Sequence, residues 1–123
     1  AAKQREIRMG IGTASNLPNI DMVLQKTGIA GYFMSVVSAD DVTRSKPDPE
    51  TWLKGAAELG VAPGDCIVFE DVPKGVEAAG RAGMNCVVLS TNHTAGEFES
   101  FKNIITIVPD FTHLDVDKLI GFL

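Results

Sequence analysis

The sequence predicts an α/β protein in three layers, a parallel sheet with helices on both faces. Short apolar runs alternate along the chain with segments of helical period, and Gly or Pro marks the ends of the helical segments. Strands that alternate with helices build parallel βαβ units, whose crossover helices cover the sheet.

The elements follow in order. Ile7, Met9 and Ile11 lead as a short strand into a loop at Thr13. A helix from about Pro18 to Thr27 carries Ile20, Val23 and Leu24 on one face, and Gly28 is placed to end it. Phe33 to Ser38 reads as a second buried strand, and Ala39 to Ser45 is a polar loop that delivers Lys46. Asp40 and Asp41 in that loop admit a metal reading, but paired Asp beside turn-forming residues is ordinarily solvated. Asp48 can cap, and Pro49 open, a helix to Leu59 with Trp52, Leu53, Ala56 and Ala57 as its inner stripe, stopped by Gly60 and Pro63. Trp52 reads as core packing.

Cys66 to Phe69 is the third strand. The next helix carries Gly75, Ala78, Ala79 and Ala82, small residues that allow close approach to a sheet, and Gly83 ends it. Asn85 to Leu89 is the fourth strand, and Thr94-Ala95-Gly96-Glu97 has capping-box spacing for a short helix to about Phe101. Ile104 to Val108 is the fifth, followed by Pro109 and a terminal helix with Val116, Leu119 and Ile120 inward. His93 and His113 fall in loops without a ligand-spaced partner and read as surface residues.

A chain of 123 residues is one domain with one core. Its net charge of −5 offers no basic stripe to meet phosphates in bulk, which argues against nucleic acid as a partner. No apolar run reaches the length of a membrane span, and the first residues lack a signal-peptide segment. Cys66 and Cys86, each inside an expected strand, read as small core hydrophobes and point to a reducing cytoplasm.

Three loops carry chemistry. The apolar run Ile67-Val-Phe stops at Glu70-Asp71 and turns into a helix near Pro73. At the carboxyl end of a strand in an open α/β sheet, two adjacent acids sit at the rim of a ligand site. They suit a hard oxygen-seeking cation such as Mg²⁺, unless Asp71 serves only as a helix cap. Thr13-Ala14-Ser15-Asn16 ends a strand with hydroxyls ahead of Pro18, a place where amides and hydroxyls cradle phosphate. Lys46, held extended by Pro47, could reach across the rim.

Taken together, Thr13 in Thr-Ala-Ser, Lys46 in Ser-Lys-Pro-Asp-Pro-Glu and Glu70-Asp71 in Phe-Glu-Asp-Val-Pro-Lys-Gly resemble the second, third and fourth motifs of the haloacid dehalogenase-like (HAD) hydrolase superfamily, most closely its phosphatase and β-phosphoglucomutase branch. The resemblance covers nearly the whole chain. It implies a Rossmann-like HAD core and Mg²⁺-dependent phosphoryl transfer from a small phosphorylated metabolite. Thr13 and the amides of Ala14, Ser15 and Asn16 would hold a phosphoryl oxygen, Lys46 would balance charge, and Asp71, with Glu70 beside or behind it, would ligate the metal.

The family's first motif, an Asp-x-Asp after the first strand, does not precede Thr13. Asp115-Val116-Asp117 follows no strand-like run and reads as the start of the last helix. The resemblance therefore implies that residues 1–123 are the C-terminal part of a HAD-like core, incomplete at the N-terminal strand, with the nucleophile strand and cap domain upstream. That strand would lie between those leading to Thr13 and Glu70. The two flanking strands are then expected to pair directly, or to receive a segment of the same protein or another chain. Two rivals stand beside the enzyme: a receiver domain, which places its acids before the hydroxyl and the lysine, the reverse of the order here, and a HAD-like binding or scaffold module without catalysis.

Overall fold

The computed structural model describes residues 7–13, 22, 26, 33–91, 93–110, 112, 114, 115, 118 and 119. Its elements are β1 (Gly10–Gly12), β2 (Ser35–Val37), α1 (Glu50–Leu59), β3 (Ile67–Glu70), α2 (Pro73–Arg81), β4 (Asn85–Leu89) and β5 (Ile104–Val108). Every pairing is parallel, β1 with β2 in one ladder and β3–β4–β5 in another. The α/β class and the order of elements match the sequence reading. β1 and β2 are shorter than expected, since Ile7, Met9, Phe33 and Ser38 lie outside the ladder. Within the helix expected over Pro18 to Thr27, Met22 and Lys26 are described and both are helical; Ile20, Val23 and Leu24 lie outside the described residues.

The core has two layers. On one face of the β3–β4–β5 sheet, Val68, Cys86 and Val88 pack with Ala56 of α1 and with Val76 and Ala79 of α2, and Phe98 closes one end. On the other face Val87 and Val108 pack with Leu119. Val76, Val87 and Val88 are fully buried, each contributing about 1.5–3 kcal/mol relative to exposure. Leu119 donates its amide to the Asp115 carbonyl at 3.1 Å, as a helical turn does, so Asp115 belongs with the final helix; Val116, Asp117 and Ile120 lie outside the described residues.

Helix ends follow their chemistry. Pro73 sits in the first turn of α2, where its missing N–H costs nothing, and Gly83 beyond its end adopts φ +81°. Gly60 terminates α1 at φ +69°. The Asp48 carboxylate accepts the Glu50 amide at 3.0 Å at the start of α1. Thr94 and Glu97 form the expected capping box, over a 3-10 turn at Ala95–Phe98 rather than a helix to Phe101. The inner stripe of α1 is corrected: Thr51 and Ala56 are buried, whereas Leu53 and Ala57 are exposed. The reason is Gly12. With no side chain there, the Thr51 methyl and the Trp52 ring press onto β1, which rotates Leu53 and Ala57 outward.

One of the two expected outcomes at the incomplete edge does not occur. β1 and β3 do not pair, and among the described residues no ladder joins the two sheets. Side chains make the connection instead, at the carboxyl ends of the strands.

Candidate functional site at the carboxyl ends of the strands

Lys46 is the centre of the site. The Lys46–Pro47 bond is cis. The side chain leaves the loop after β2, and Nζ donates to the Gly12 carbonyl at 3.3 Å and to Glu70 Oε2 at 3.2 Å. The ammonium thus touches the last residue of β1 and the last residue of β3. It is little exposed, as is its partner, with 14% and 8% of the two side chains accessible. Beneath it lies the Trp52 ring, with the centroid 4.1 Å from Nζ, a cation–π distance.

Glu70 is buried and fully engaged. Its Oε1 accepts the amides of Asp71 at 2.9 Å and Val72 at 3.3 Å, while Oε2 takes Lys46. These two amides and the ammonium occupy both carboxylate oxygens and offset the cost of burying them. Room for it comes from Gly75, because a Cβ there would overlap the Glu70 carboxylate. Asp71 follows on the rim, half-buried. It does not cap α2: the N-cap is Val72, with no side-chain bond to the helix. Its carboxylate is not spent on the fold in the way a capping role requires.

Thr13 closes the other side. Its amide donates to the Val37 carbonyl at 2.9 Å, extending the β1–β2 ladder by one bond. With Lys46 it lines a cavity of about 160 Å³, together with Ala39, Val42, Thr43, Ser45 and Thr51. A lysine and several hydroxyl-bearing residues around a volume of that size suit a tetrahedral anion. Ala14, Ser15 and Asn16 lie outside the described residues. The structure therefore brings Thr13 and Lys46 to one cavity and attaches Glu70 to it through the lysine, while Asp71 follows Glu70 in the chain and does not line that cavity. A larger surface depression of about 430 Å³ lies along the outer face of α1, between Arg44, Asp48 and Lys54, and is lined by none of Thr13, Lys46, Glu70 and Asp71.

The other candidates are structural. Asp41 accepts the Ser38 amide at 2.7 Å and the Ser38 hydroxyl at 3.0 Å, and these bonds hold its carboxyl below the ordinary range. Asp40 and Asp41 are both exposed, and the described residues form no cluster of three metal-type ligands. Cys66 and Cys86 are free thiols. Cys86 is fully buried; burial, and then the charge of Glu70, push its thiol up to about 12. His93 pairs with Glu97 at 3.1 Å. His113 lies outside the described residues.

Sequence reasoning missed the part played by Trp52. It packs against the core, as read, but it also holds the Lys46 ammonium on its face and donates Nε1–H to the Gly75 carbonyl at 3.1 Å. An aromatic residue one turn into the helix that follows Lys46-Pro47-Asp48-Pro49 was the available signal.

Comparison with known proteins fits this geometry. The family model for haloacid dehalogenase-like hydrolases matches residues 1–89. Validoxylamine A 7'-phosphate phosphatase from Streptomyces hygroscopicus subsp. limoneus is 35% identical over 112 residues, which is 91% of this chain and 51% of that protein. Fructose-1-phosphate phosphatase YqaB from Escherichia coli is 43% identical over 79 residues, 64% of this chain and 42% of that one. Among solved structures, β-phosphoglucomutase from Clostridium difficile superposes with a TM-score of 0.82 at 28% identity, over 98% of this chain and 51% of the other. The chain thus spans about half the length of the relatives it matches. A matched family model over most of the chain, a shared fold and the motif residues gathered at one rim lead to one conclusion: the chain belongs to the haloacid dehalogenase-like hydrolases.

Proposed function

We propose that this chain forms the C-terminal part of a phosphoryl-transfer site, acting in the whole protein on a small phosphate ester as a phosphatase or phosphomutase. The observation that carries this is the cavity shared by Thr13 and Lys46 at the carboxyl ends of parallel strands, with Glu70 joined to it through the lysine. The phosphatases and the phosphoglucomutase named among its relatives support the reading.

Phosphoryl transfer asks a protein for positioning and for neutralisation of spreading negative charge. Lys46 supplies a fixed cation, and the Thr13 side chain with the Ala14, Ser15 and Asn16 segment supplies neutral donors. Asp71 is the carboxylate for Mg²⁺, with Glu70 behind it orienting the loop through the amides of Asp71 and Val72. Mg²⁺ keeps several waters and takes one or two carboxylates plus phosphate, which fits a rim with one half-buried acid that does not cap the helix. When bound, it would draw charge from the phosphoryl oxygens.

The nucleophile, in this reading, is an Asp on a strand upstream of Ala1 that seats between β1 and β3, and the cap that chooses the substrate lies upstream as well. Among the described residues no ladder joins β1 to β3, and this supports the reading, since two parallel edges at that spot suit a further parallel strand. The free thiols suit a reducing compartment, and we place the protein in the cytoplasm.

The test is hydrolysis of p-nitrophenyl phosphate by the longer protein carrying an upstream Asp-x-Asp, with and without Mg²⁺. Metal-dependent release of p-nitrophenol, lost in Lys46→Ala, is expected. Inertness toward a panel of phosphate esters, with the Asp-x-Asp intact and Mg²⁺ present, would replace the enzyme with the binding or scaffold module.

A further inference from the structure

Trp52 touches each of the segments that carry the rim. Its ring lies under Lys46, with Nζ 4.1 Å from the centroid. Its Nε1–H donates to the Gly75 carbonyl at 3.1 Å, in the first turn after Glu70-Asp71. A Cβ on Gly12, the residue before Thr13, would lie 2.7 Å from Trp52 Cζ3, so the ring packs directly on the end of β1. No ladder joins β1 to β3 among the described residues, and the two halves of the rim are tied together here by the indole and by the lysine above it.

We propose that Trp52 is a positioning residue: it holds the Lys46 ammonium between Gly12 and Glu70, ready to meet an anion, and so sets the affinity of the site for phosphate. This deepens the phosphoryl-transfer reading and rests on it. A lysine is among the most rotamer-rich side chains, and ordering it when the ligand arrives weakens binding. The ring face attracts the ammonium electrostatically, in addition to its bonds to Gly12 and Glu70. Gly75, by accepting the indole N–H, fixes the ring itself. A tryptophan that served only to fill the core would also bond its N–H, but would need no cation on its face.

The chain has a single tryptophan, so biosynthetic incorporation of fluorotryptophans alters position 52 alone. Ring fluorines drain negative potential from the face while nearly preserving volume. Two quantities are read on the 123-residue chain: the affinity for orthophosphate by calorimetry, and the chemical shift of the Lys46 ε-methylene protons, which the ring current of Trp52 moves upfield. Stepwise fluorination is expected to lower orthophosphate affinity in a graded way, about three- to tenfold in all. Trp52→Leu is expected to abolish the upfield shift and cost about tenfold or more, with Trp52→Phe restoring most of both. Should Trp52→Leu fail to fold, the fluorotryptophan series decides, because it removes no atoms from the core. An affinity unchanged across that series, or wild-type Lys46 protons without an upfield shift, overturns the proposal. Wild-type protein that shows the shift but binds no orthophosphate overturns the positioning role and leaves a packing contact, while the phosphoryl-transfer reading is decided separately, by phosphate ester hydrolysis in the longer protein.

Discussion

Gly75 and Glu70 are packed so closely that no side chain fits between them: a Cβ on the glycine would overlap the glutamate carboxylate. Alanine for glycine inside a helix is ordinarily favourable by about 1 kcal/mol. Here the carboxylate cannot swing aside, because the amides of Asp71 and Val72 and the Lys46 ammonium hold it. Overpacking costs about 1–3 kcal/mol, so Gly75→Ala is expected to destabilise the protein. Urea unfolding checks the sign, and a variant as stable as wild type would show that Glu70 is not fixed in this way.

The Lys46–Glu70 pair yields a second expectation. With 14% and 8% of the side chains accessible, the pair is largely withdrawn from water, and removing one partner of such a pair costs about 3–5 kcal/mol by leaving the other charge unmatched. Lys46→Met and Glu70→Gln should each destabilise, the glutamine retaining an acceptor for the Asp71 and Val72 amides. The double variant should lose less than the sum of the two, by about 0.5–3 kcal/mol. Strict additivity in a double-mutant cycle by urea unfolding would mean that the two charges do not interact.

These contacts mark what the sequence could and could not reveal. The α/β class, the strands at β4 and β5 and the small-residue face of α2 follow from periodicity and glycine placement, which act locally. The stripe of α1 did not, because hydrophobicity favours burying Leu53 over Thr51 and the structure does the reverse; the choice is made by Gly12, distant in sequence, which draws the Thr51 methyl and the Trp52 ring inward. The same holds at the rim. Glu70 and Asp71 look equivalent in sequence, and their separation into a buried, paired acid and a half-buried one depends on Lys46 approaching from another segment. The double duty of Trp52 was hidden for the same reason, since both Gly75 and Lys46 reach it only through the tertiary fold.

Cys86 gives a prediction in pH. Burial and the Glu70 charge raise its thiol from 9.0 to about 12, with Lys46 opposing. A raised pKa favours the protonated thiol in the folded state, so the stabilisation is complete below 9.0 and is lost as pH rises through about 12. Stability measured by urea unfolding should therefore fall as pH rises above 9.0, and less steeply in Cys86→Ala. At pH near 8, iodoacetamide should modify the partly exposed Cys66 and spare Cys86 in the native protein, as read by mass spectrometry. Equal labelling of the two would contradict the packing around β4.

The two adjacent acids should separate cleanly by phenotype. Asp71 makes no capping bond to α2, since Val72 is the N-cap and carries no side-chain contact to the helix. Asp71→Asn is therefore expected to change stability by no more than about 0.5 kcal/mol, whereas Glu70→Gln destabilises through its effect on Lys46. The order reverses for metal dependence. In the longer protein, Asp71→Asn should cut Mg²⁺-dependent phosphate ester hydrolysis by about a hundredfold or more, because the ion's neutralising charge is worth several kcal/mol in the transition state. Calorimetric titration with Mg²⁺ and urea unfolding of both variants supply the comparison. An Asp71→Asn protein that unfolds as readily as Glu70→Gln, or one that keeps its response to Mg²⁺, would move the metal away from Asp71 and leave the acid as part of the scaffold.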